Sequence, residues 1–276
     1  MILYPPAKIN IGLSIVGKRP DGFHNIETVF YPIPLCDSLT VETVQADASQ
    51  KLSFSCDGIA LPGNEPYNNL CCKAYHLLYI DFRLPPVNIH LHKSIPYGAG
   101  LGGGSSDAAS TLQALNHLFQ LGLSVGELTR YASRLGSDCA FFLHDKPAFG
   151  VGKGDQLEPV SLSLAGYYLL LVKPPVFVST ADAYSSVMPQ EAQHHLPDLL
   201  QAPVSEWRYT VFNDFETPVF KKFPETGRIK EKLYRESALY AAMSGSGSTV
   251  YGIFDQKPDE VAKLFPDCFV WHCVLE

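Results

Sequence analysis

The sequence predicts an α+β fold divided into two domains. Four strand-like segments precede the first helical pattern. A later strand runs through a glycine-rich stretch straight into a helix. A second glycine cluster, Gly150-Val151-Gly152-Lys153-Gly154, marks a domain edge near the middle of a 276-residue chain, a length that allows one large domain or two ordinary ones. The expected division is 1–156 and 157–276.

Segments 9–16, 26–31 and 38–44 read as strands, the first followed by the turn Gly17-Lys18-Arg19-Pro20-Asp21-Gly22. Segment 51–56 alternates and is a fourth. Over 69–80, Leu70, Ala74, Leu77 and Leu78 recur at helical spacing behind Asn69, a candidate cap. Over 87–92, Val87, Ile89 and Leu91 face one way and Asn88, His90 and His92 the other, the pattern of a half-buried strand. Beyond the glycine stretch, Ala108, Leu112, Leu115 and Phe119 mark a buried helical stripe. A further helix is expected over 125–135, ended by Gly136 and followed by the apolar segment 139–143. Strands resume at 167–172. The polar segment 189–204 reads as an exposed helix with loops. A helix over 229–240 is expected before Met243-Ser244-Gly245-Ser246-Gly247-Ser248 and a strand over 249–254.

Composition excludes several classes. With 46% hydrophobic and 18% charged residues the chain is neither disordered nor fibrous. A net charge of −7 with scattered Lys and Arg argues against nucleic acid as a partner. The apolar run 166–172 is far short of the roughly 20 residues of a membrane helix, so no membrane partner is expected. No basic segment followed by an apolar run opens the sequence, and a cytoplasmic location is expected. The seven cysteines, at 36, 56, 71, 72, 139, 268 and 273, are irregularly spaced and include no C-x-x-C. Most are expected to be small buried hydrophobes in a reducing compartment.

The most unusual segment is Pro96-Tyr97-Gly98-Ala99-Gly100-Leu101-Gly102-Gly103-Gly104-Ser105-Ser106, with five glycines in seven residues. Glycines permit φ > 0 and let backbone N–H groups approach an anion, and the following helix adds unpaired donors and a positive dipole end. Strand, glycine loop, Ser-Ser and helix thus outline a phosphate cradle. Ser105 and Ser106 are placed to cap the helix, touch phosphate or reach Mg²⁺. A Walker A string is absent. Gly98, Gly100 and Gly103 satisfy G-x-G-x-x-G, which keeps a dinucleotide-binding oxidoreductase as an alternative from another class. That reading wants an acid about 20 residues on, where only Gly122-Leu123-Ser124 stands. A flexible linker would not explain glycines placed between a clear strand and a clear helix. A non-catalytic nucleotide-binding module is a third class; it would bind ATP and give no product.

This segment resembles the phosphate loop of the GHMP kinases, and two others resemble that family's remaining motifs: Pro6-Ala7-Lys8-Ile9-Asn10 and Ser244-Gly245-Ser246-Gly247. Finer features, Pro6 through Leu13, Lys18-Arg19-Pro20-Asp21-Gly22-Phe23-His24, and Gly136-Ser137-Asp138-Cys139-Ala140-Phe141-Phe142, resemble one branch: ATP-dependent kinases of non-mevalonate isoprenoid synthesis that phosphorylate the 2-hydroxyl of a cytidine-diphosphate-linked sugar alcohol. The resemblance spans Pro6 to about Phe254. It implies a two-domain α+β kinase with a cleft between the domains, ATP as donor, Mg²⁺, and a small-molecule acceptor. Within the family, a homoserine or mevalonate type of kinase is the alternative; it would not need Asp21-Gly22-Phe23-His24.

The resemblance also implies roles. Asp138 is placed as general base; from spacing alone a lone Asp after Gly-Ser also reads as a cap. Lys8 would lie near that Asp, hold it ionised and stabilise the forming alkoxide; by spacing alone it is a solvated lysine at a strand start. His24 would meet the cytosine edge, Phe23 would stack on one ring face and Tyr184 on the other. Asn10 would contact the erythritol or the phosphate. Pro96 through Ser106 would bind ATP, with Ser106 as a possible Mg²⁺ ligand. Asn69 and Lys93 match positions near adenine, and read equally as a helix cap and an exposed charge. Two positions depart from the family pattern: Asp107, an acid beside a phosphate loop, and Ala140, where a proline is expected.

Overall fold

The computed structural model describes residues 1–44, 51–60, 68–144, 146–259 and 261–276. The chain forms two compact units, each assembled from separated stretches. The first holds Met1–Ala7, Leu35–Tyr97 and Gly102–Asp145; the second holds Lys8–Pro34, Gly98–Leu101 and Lys146–Glu276.

In the first unit, strands β1 (Ile2–Leu3), β4 (Ser38–Thr43), β6 (Val87–Lys93) and β5 (Leu52–Gly58) form a sheet in that order. The β4 and β6 strands are antiparallel, whereas β5 and β6 are parallel. The alternation in β6 works as expected: Val87, Ile89, Leu91 and Lys93 are buried while Asn88, His90 and His92 are exposed. Helix α1 (Leu70–Phe82) buries Cys71, Cys72, Ala74, Tyr75 and Leu78. It ends where Arg83 turns left-handed at φ 53° and donates its N–H to Tyr79 O. Helix α2 (Gly103–Leu118) packs against α1 and β4. Its small residues Ala108, Ala109, Ser110 and Thr111 let it sit close, and all are buried. Helix α3 (Val125–Leu135) starts with a capping box in which Ser124 and Glu127 satisfy one another's backbone N–H groups. A 3₁₀ segment, Ser137–Leu143, follows and buries Cys139 through Leu143.

In the second unit, β2 (Pro6–Lys18) and β3 (His24–Cys36) contribute residues 8–18 and 24–34 to a sheet with the hairpin β7 (Ala148–Val151) and β8 (Gln156–Pro159), ordered β2-β3-β7-β8. The second glycine cluster spans the end of β7 and the turn that leads into β8. A third sheet is ordered β10 (Tyr240–Met243), β11 (Val250–Phe254), β9 (Tyr168–Lys173) and β12 (Phe269–Val274), antiparallel throughout. The β10 and β11 strands are buried along their whole length, because α8 (Pro224–Arg235) covers them. That helix differs from the expected 229–240. Pro224 occupies its first turn, Ser237 breaks it at φ 70°, and Tyr240 already belongs to β10. The short helices α4 (Thr180–Ser185), α5 (Leu196–Leu199), α6 (Trp207–Thr210), α7 (Glu216–Lys222) and α9 (Val261–Leu264) complete the unit. The segment 189–204 is less exposed than its polarity suggests, since Leu196, Leu200 and Val204 are buried. Of the seven thiols only Cys71, Cys72 and Cys139 are buried; Cys56 is exposed on β5, so the expectation that most are buried fails. Cys56 lies on β5, the edge strand of its sheet, in a stretch exposed from Ser55 to Gly58.

Candidate active site

The glycine-rich stretch crosses the division of the chain: Pro96, Tyr97 and Gly102 onward belong to the first unit, Gly98–Leu101 to the second.

In the second unit, β2 delivers Lys8 and Asn10 side by side on one face, two residues apart. Lys8 is 3% exposed, and its ammonium donates to Asn10 Oδ1 and, at 3.0 Å, to Gly100 O. It also lies 5.4 Å from the centre of the Phe30 ring. This is no solvated strand-end lysine. The Asn10 amide donates to Thr28 Oγ1 at 3.0 Å, and its backbone N–H donates to Ser244 Oγ at 3.1 Å. Ser244 in turn donates to Gly100 O at 2.8 Å. The first motif, the glycine loop and the C-terminal Ser-Gly-Ser-Gly motif therefore meet at Gly100 O. Gly100 sits at φ +74°, and a Cβ there would lie 1.9 Å from Ser244 O, so two constraints exclude a side chain. The N–H of Leu101's partner strand closes the loop: Lys8 N donates to Leu101 O at 3.0 Å.

His24 and Tyr184 stack, with centroids 4.9 Å apart and planes 18° from parallel. Tyr184 meets Phe215 edge-on at 4.8 Å. Phe23 is 56% exposed beside them in sequence, and the Lys153 ammonium lies 5.1 Å from its ring centre. The turn 19–23 is shaped by Asp21, which accepts from Phe23 N at 3.1 Å and pairs with Arg19.

In the first unit, α2 begins at Gly103 after Gly102 in a left-handed conformation. Gly103 and Gly104 are helical and Ser105 stands in the first turn. Ser106 Oγ is buried without a hydrogen-bond partner. That orphaned hydroxyl fits a phosphate oxygen or a cation. No group of three or more His, Cys, Asp or Glu among the described residues could hold a metal by itself. Asn69 caps α1, its Oδ1 accepting from Cys71 N at 2.8 Å. Lys93 is 3% exposed, which removes the exposed-charge reading. Its ammonium donates to Asp37 Oδ2 and, at 2.7 Å, to Asp107 Oδ2. Asp37 Oδ1 also accepts from Ser94 N at 2.6 Å and Ile95 N at 2.8 Å, fixing the chain that enters the loop. Burial works against the Lys93 charge, but Asp107 and Asp37 carry its pKa above the ordinary lysine value. Burial pushes the Asp107 carboxyl up to about 7, with Lys93 opposing and Asp37 reinforcing. Asp107 thus faces Lys93 from beyond the first helical turn. Asp138 is half-buried in the first turn of the 3₁₀ segment behind Gly136.

Two family models match: GHMP kinases N terminal domain over residues 69–146 and GHMP kinases C terminal over 196–266. The chain belongs to the GHMP kinase family. Among similar proteins of this GHMP kinase is one from Bacteroides fragilis (strain YCH46), named 4-diphosphocytidyl-2-C-methyl-D-erythritol kinase, 54% identical over 100% of both chains. A crystal structure of 4-(cytidine 5'-diphospho)-2C-methyl-D-erythritol kinase is 32% identical, with a TM-score of 0.82, covering 99% of this chain and 98% of that one. The Methanococcus jannaschii mevalonate kinase, 16% identical with a TM-score of 0.71 over 100% of this chain and 98% of that one, shares the fold. As a GHMP kinase the chain is an enzyme, a phosphotransferase that uses a nucleotide as phosphoryl donor. The dinucleotide-binding reading of G-x-G-x-x-G falls: β6, which feeds the loop, lies between an antiparallel and a parallel neighbour, not in a parallel doubly wound sheet. Sequence reading missed Asp37, Asn213 and Ser244 as supports of the loop. Only Ser244 carried a signal, its place in the third motif.

Proposed function

We propose that this GHMP kinase transfers the γ-phosphoryl group of ATP to the 2-hydroxyl of 4-diphosphocytidyl-2-C-methyl-D-erythritol, a cytoplasmic step of non-mevalonate isoprenoid precursor synthesis. The observation that carries the reading is the 54% identity over the full length of both chains to a relative of that name. The proposed division at 1–156 and 157–276 rests on the sequence; the matched segments, 69–146 and 196–266, are compatible with it.

The loop from Pro96 to Ser106 cradles the ATP phosphates with its backbone N–H groups and the amino end of α2. Mg²⁺, held with the phosphates and by Ser106, would supply charge neutralisation at the transferring group. Asn69 and Lys93 stay at the adenine side. Because the Lys93 charge is committed to Asp37 and Asp107, its part is to fix the loop entry. Asp138 accepts the proton of the acceptor hydroxyl. Lys8 stabilises the developing alkoxide, with Asn10 on the acceptor or its phosphate. The alkoxide oxygen bonds to the γ-phosphorus, the bond to the β,γ-bridging oxygen breaks, and ADP leaves. His24, Phe23 and Tyr184 receive the cytosine; the ring contact of His24 with Tyr184 supports an aromatic subsite there. A coupled ADP-release assay tests the reading. Turnover is expected with the cytidyl acceptor and none above background with homoserine or mevalonate; a preference for either of those overturns it.

A further inference from the structure

The geometry points to Asn213 as a positioning residue that sets the glycine loop and the Lys8 ammonium from behind, through Ser244. The inference rests on the proposed use of that loop as the phosphoryl-donor site. Asn213 is 4% exposed. Its amide nitrogen donates to Met243 O at 2.8 Å and to Gly245 O at 2.9 Å, and its Oδ1 accepts from Phe215 N at 2.9 Å. Two carbonyls face the nitrogen and one N–H faces the oxygen, so the amide has one satisfied orientation. An aspartate would set its carboxylate against two carbonyls.

The segment bearing Asn213 is stitched to the strand that carries Lys8 and Asn10. Leu13 N donates to Phe212 O at 2.9 Å, Asp214 N to Leu13 O at 2.9 Å, and Ile15 N to Asp214 Oδ2 at 2.7 Å. The turn it holds is pinned from another side, where Met243 N donates to Glu216 Oε1 at 2.8 Å. Between the two carbonyls that Asn213 grips stands Ser244. Its hydroxyl is the one that takes the Asn10 N–H and donates to Gly100 O. The Lys8 ammonium donates to that same Gly100 oxygen. Asn213 therefore acts on Gly100 and Lys8 through one intermediate side chain, and it touches neither.

The test uses Asn213→Ser, Asn213→Gln, Ser244→Ala and the double variant Asn213→Ser/Ser244→Ala in the full chain. Three quantities are read on material with wild-type circular dichroism: steady-state kinetics, ADP affinity, and hydrogen exchange at the amides of Gly98–Leu101. Asn213→Ser is expected to lower kcat by roughly 10–100-fold, since displaced reacting groups lose rate steeply. The KM of the cytidyl acceptor should stay within about twofold, because the residues proposed to hold its cytosine, His24, Phe23 and Tyr184, lie outside the Asn213–Ser244–Gly100 chain of contacts. The double variant should be no slower than the worse single variant within about threefold, the signature of residues acting as one unit. Exchange should quicken at Gly98–Leu101 and stay unchanged in β9. Additive losses, unchanged exchange at the loop, activity that merely follows the folded fraction, or failure of both Asn213 variants to fold would each overturn the positioning role. If the wild-type chain does not turn over the cytidyl acceptor, the substrate reading fails by itself, and exchange with ADP affinity still decides the role of Asn213.

Discussion

Asp138 and Lys8 carry opposite charge and sit on very different local structures, one in a half-buried 3₁₀ turn, the other on a buried strand. If Asp138 takes the hydroxyl proton, Asp138→Asn should lower kcat by roughly 10²–10⁴-fold while an ATP analogue still binds. Lys8→Met should fall in the same range, and the two losses should not add in a double variant, as steady-state rates of all three will show. A second residue-scale expectation concerns the buried cluster of one lysine and two aspartates. In the unfolded chain Asp107 titrates near 3.8; burial in the fold pushes it up to about 7. Between those values the folded state keeps a proton that the unfolded state has lost, so this group's contribution to stability declines as pH rises through the window and is fully lost above it. Asp107→Asn removes that dependence. Urea unfolding at pH 5 and pH 8 should show the variant gaining on the wild type by roughly 1–3 kcal/mol at the higher pH. A pH-independent difference would show that Asp107 does not carry the surplus charge.

At the scale of elements, the loop, the strand before it and the helix after it were legible because glycine spacing and binary pattern state backbone conformation directly. What held the loop was not. Gly103, central to the motif, is helical, and the nearest atoms to a Cβ there belong to side chains, Ile95 Cγ2 at 2.9 Å and Lys93 Nζ at 3.3 Å, not to backbone. Gly100 is the demanding position. Gly100→Ala should weaken ADP binding by at least about tenfold and destabilise the chain by about 1–3 kcal/mol or more, measured by titration and thermal unfolding, because a backbone carbonyl stands where the methyl must go. Gly103→Ala should be milder in both. The aromatic pair was visible only as two separate residues, His24 and Tyr184, whose contact joins the start of β3 to α4. His24→Ala should lower kcat/KM for the cytidyl acceptor by roughly 5–150-fold, since polar base groups lose a partner. The KM for ATP should hold within about twofold in the same kinetics if His24 serves only the acceptor, as proposed.

For the whole molecule, secondary structure could be read and partnership could not. Strand β9 looks self-contained in sequence, yet its neighbours β11 and β12 come from the last part of the chain. Lys93 looked like a surface charge because its two carboxylates stand 56 and 14 residues away along the chain. Both are long-range pairings, which no local window contains. The segment 189–204 misled in the same way: Leu196 is buried because Gly12, on β2, leaves room for it, and a Cβ at Gly12 would lie 2.7 Å from Leu196 Cδ1. The family's nucleotide preference is also a property of the whole chain. ADP at about 100 times its Kd should stabilise the protein by about 2.7 kcal/mol in thermal unfolding, and NAD at the same concentration should do nothing. A shift with NAD alone would revive the dinucleotide reading.

Cys56 gives the molecule a single convenient handle. Three of the seven thiols are buried and three are partly covered, which leaves this one open on β5. Burial of part of the side chain pushes its pKa up, with Lys93 opposing, so the reactive thiolate is scarce at neutral pH and grows as the solution is made alkaline. A maleimide dye applied briefly at mildly alkaline pH should therefore attach once, on the sheet of the first unit. A fluorophore there would report on that unit through nucleotide binding without any engineered cysteine.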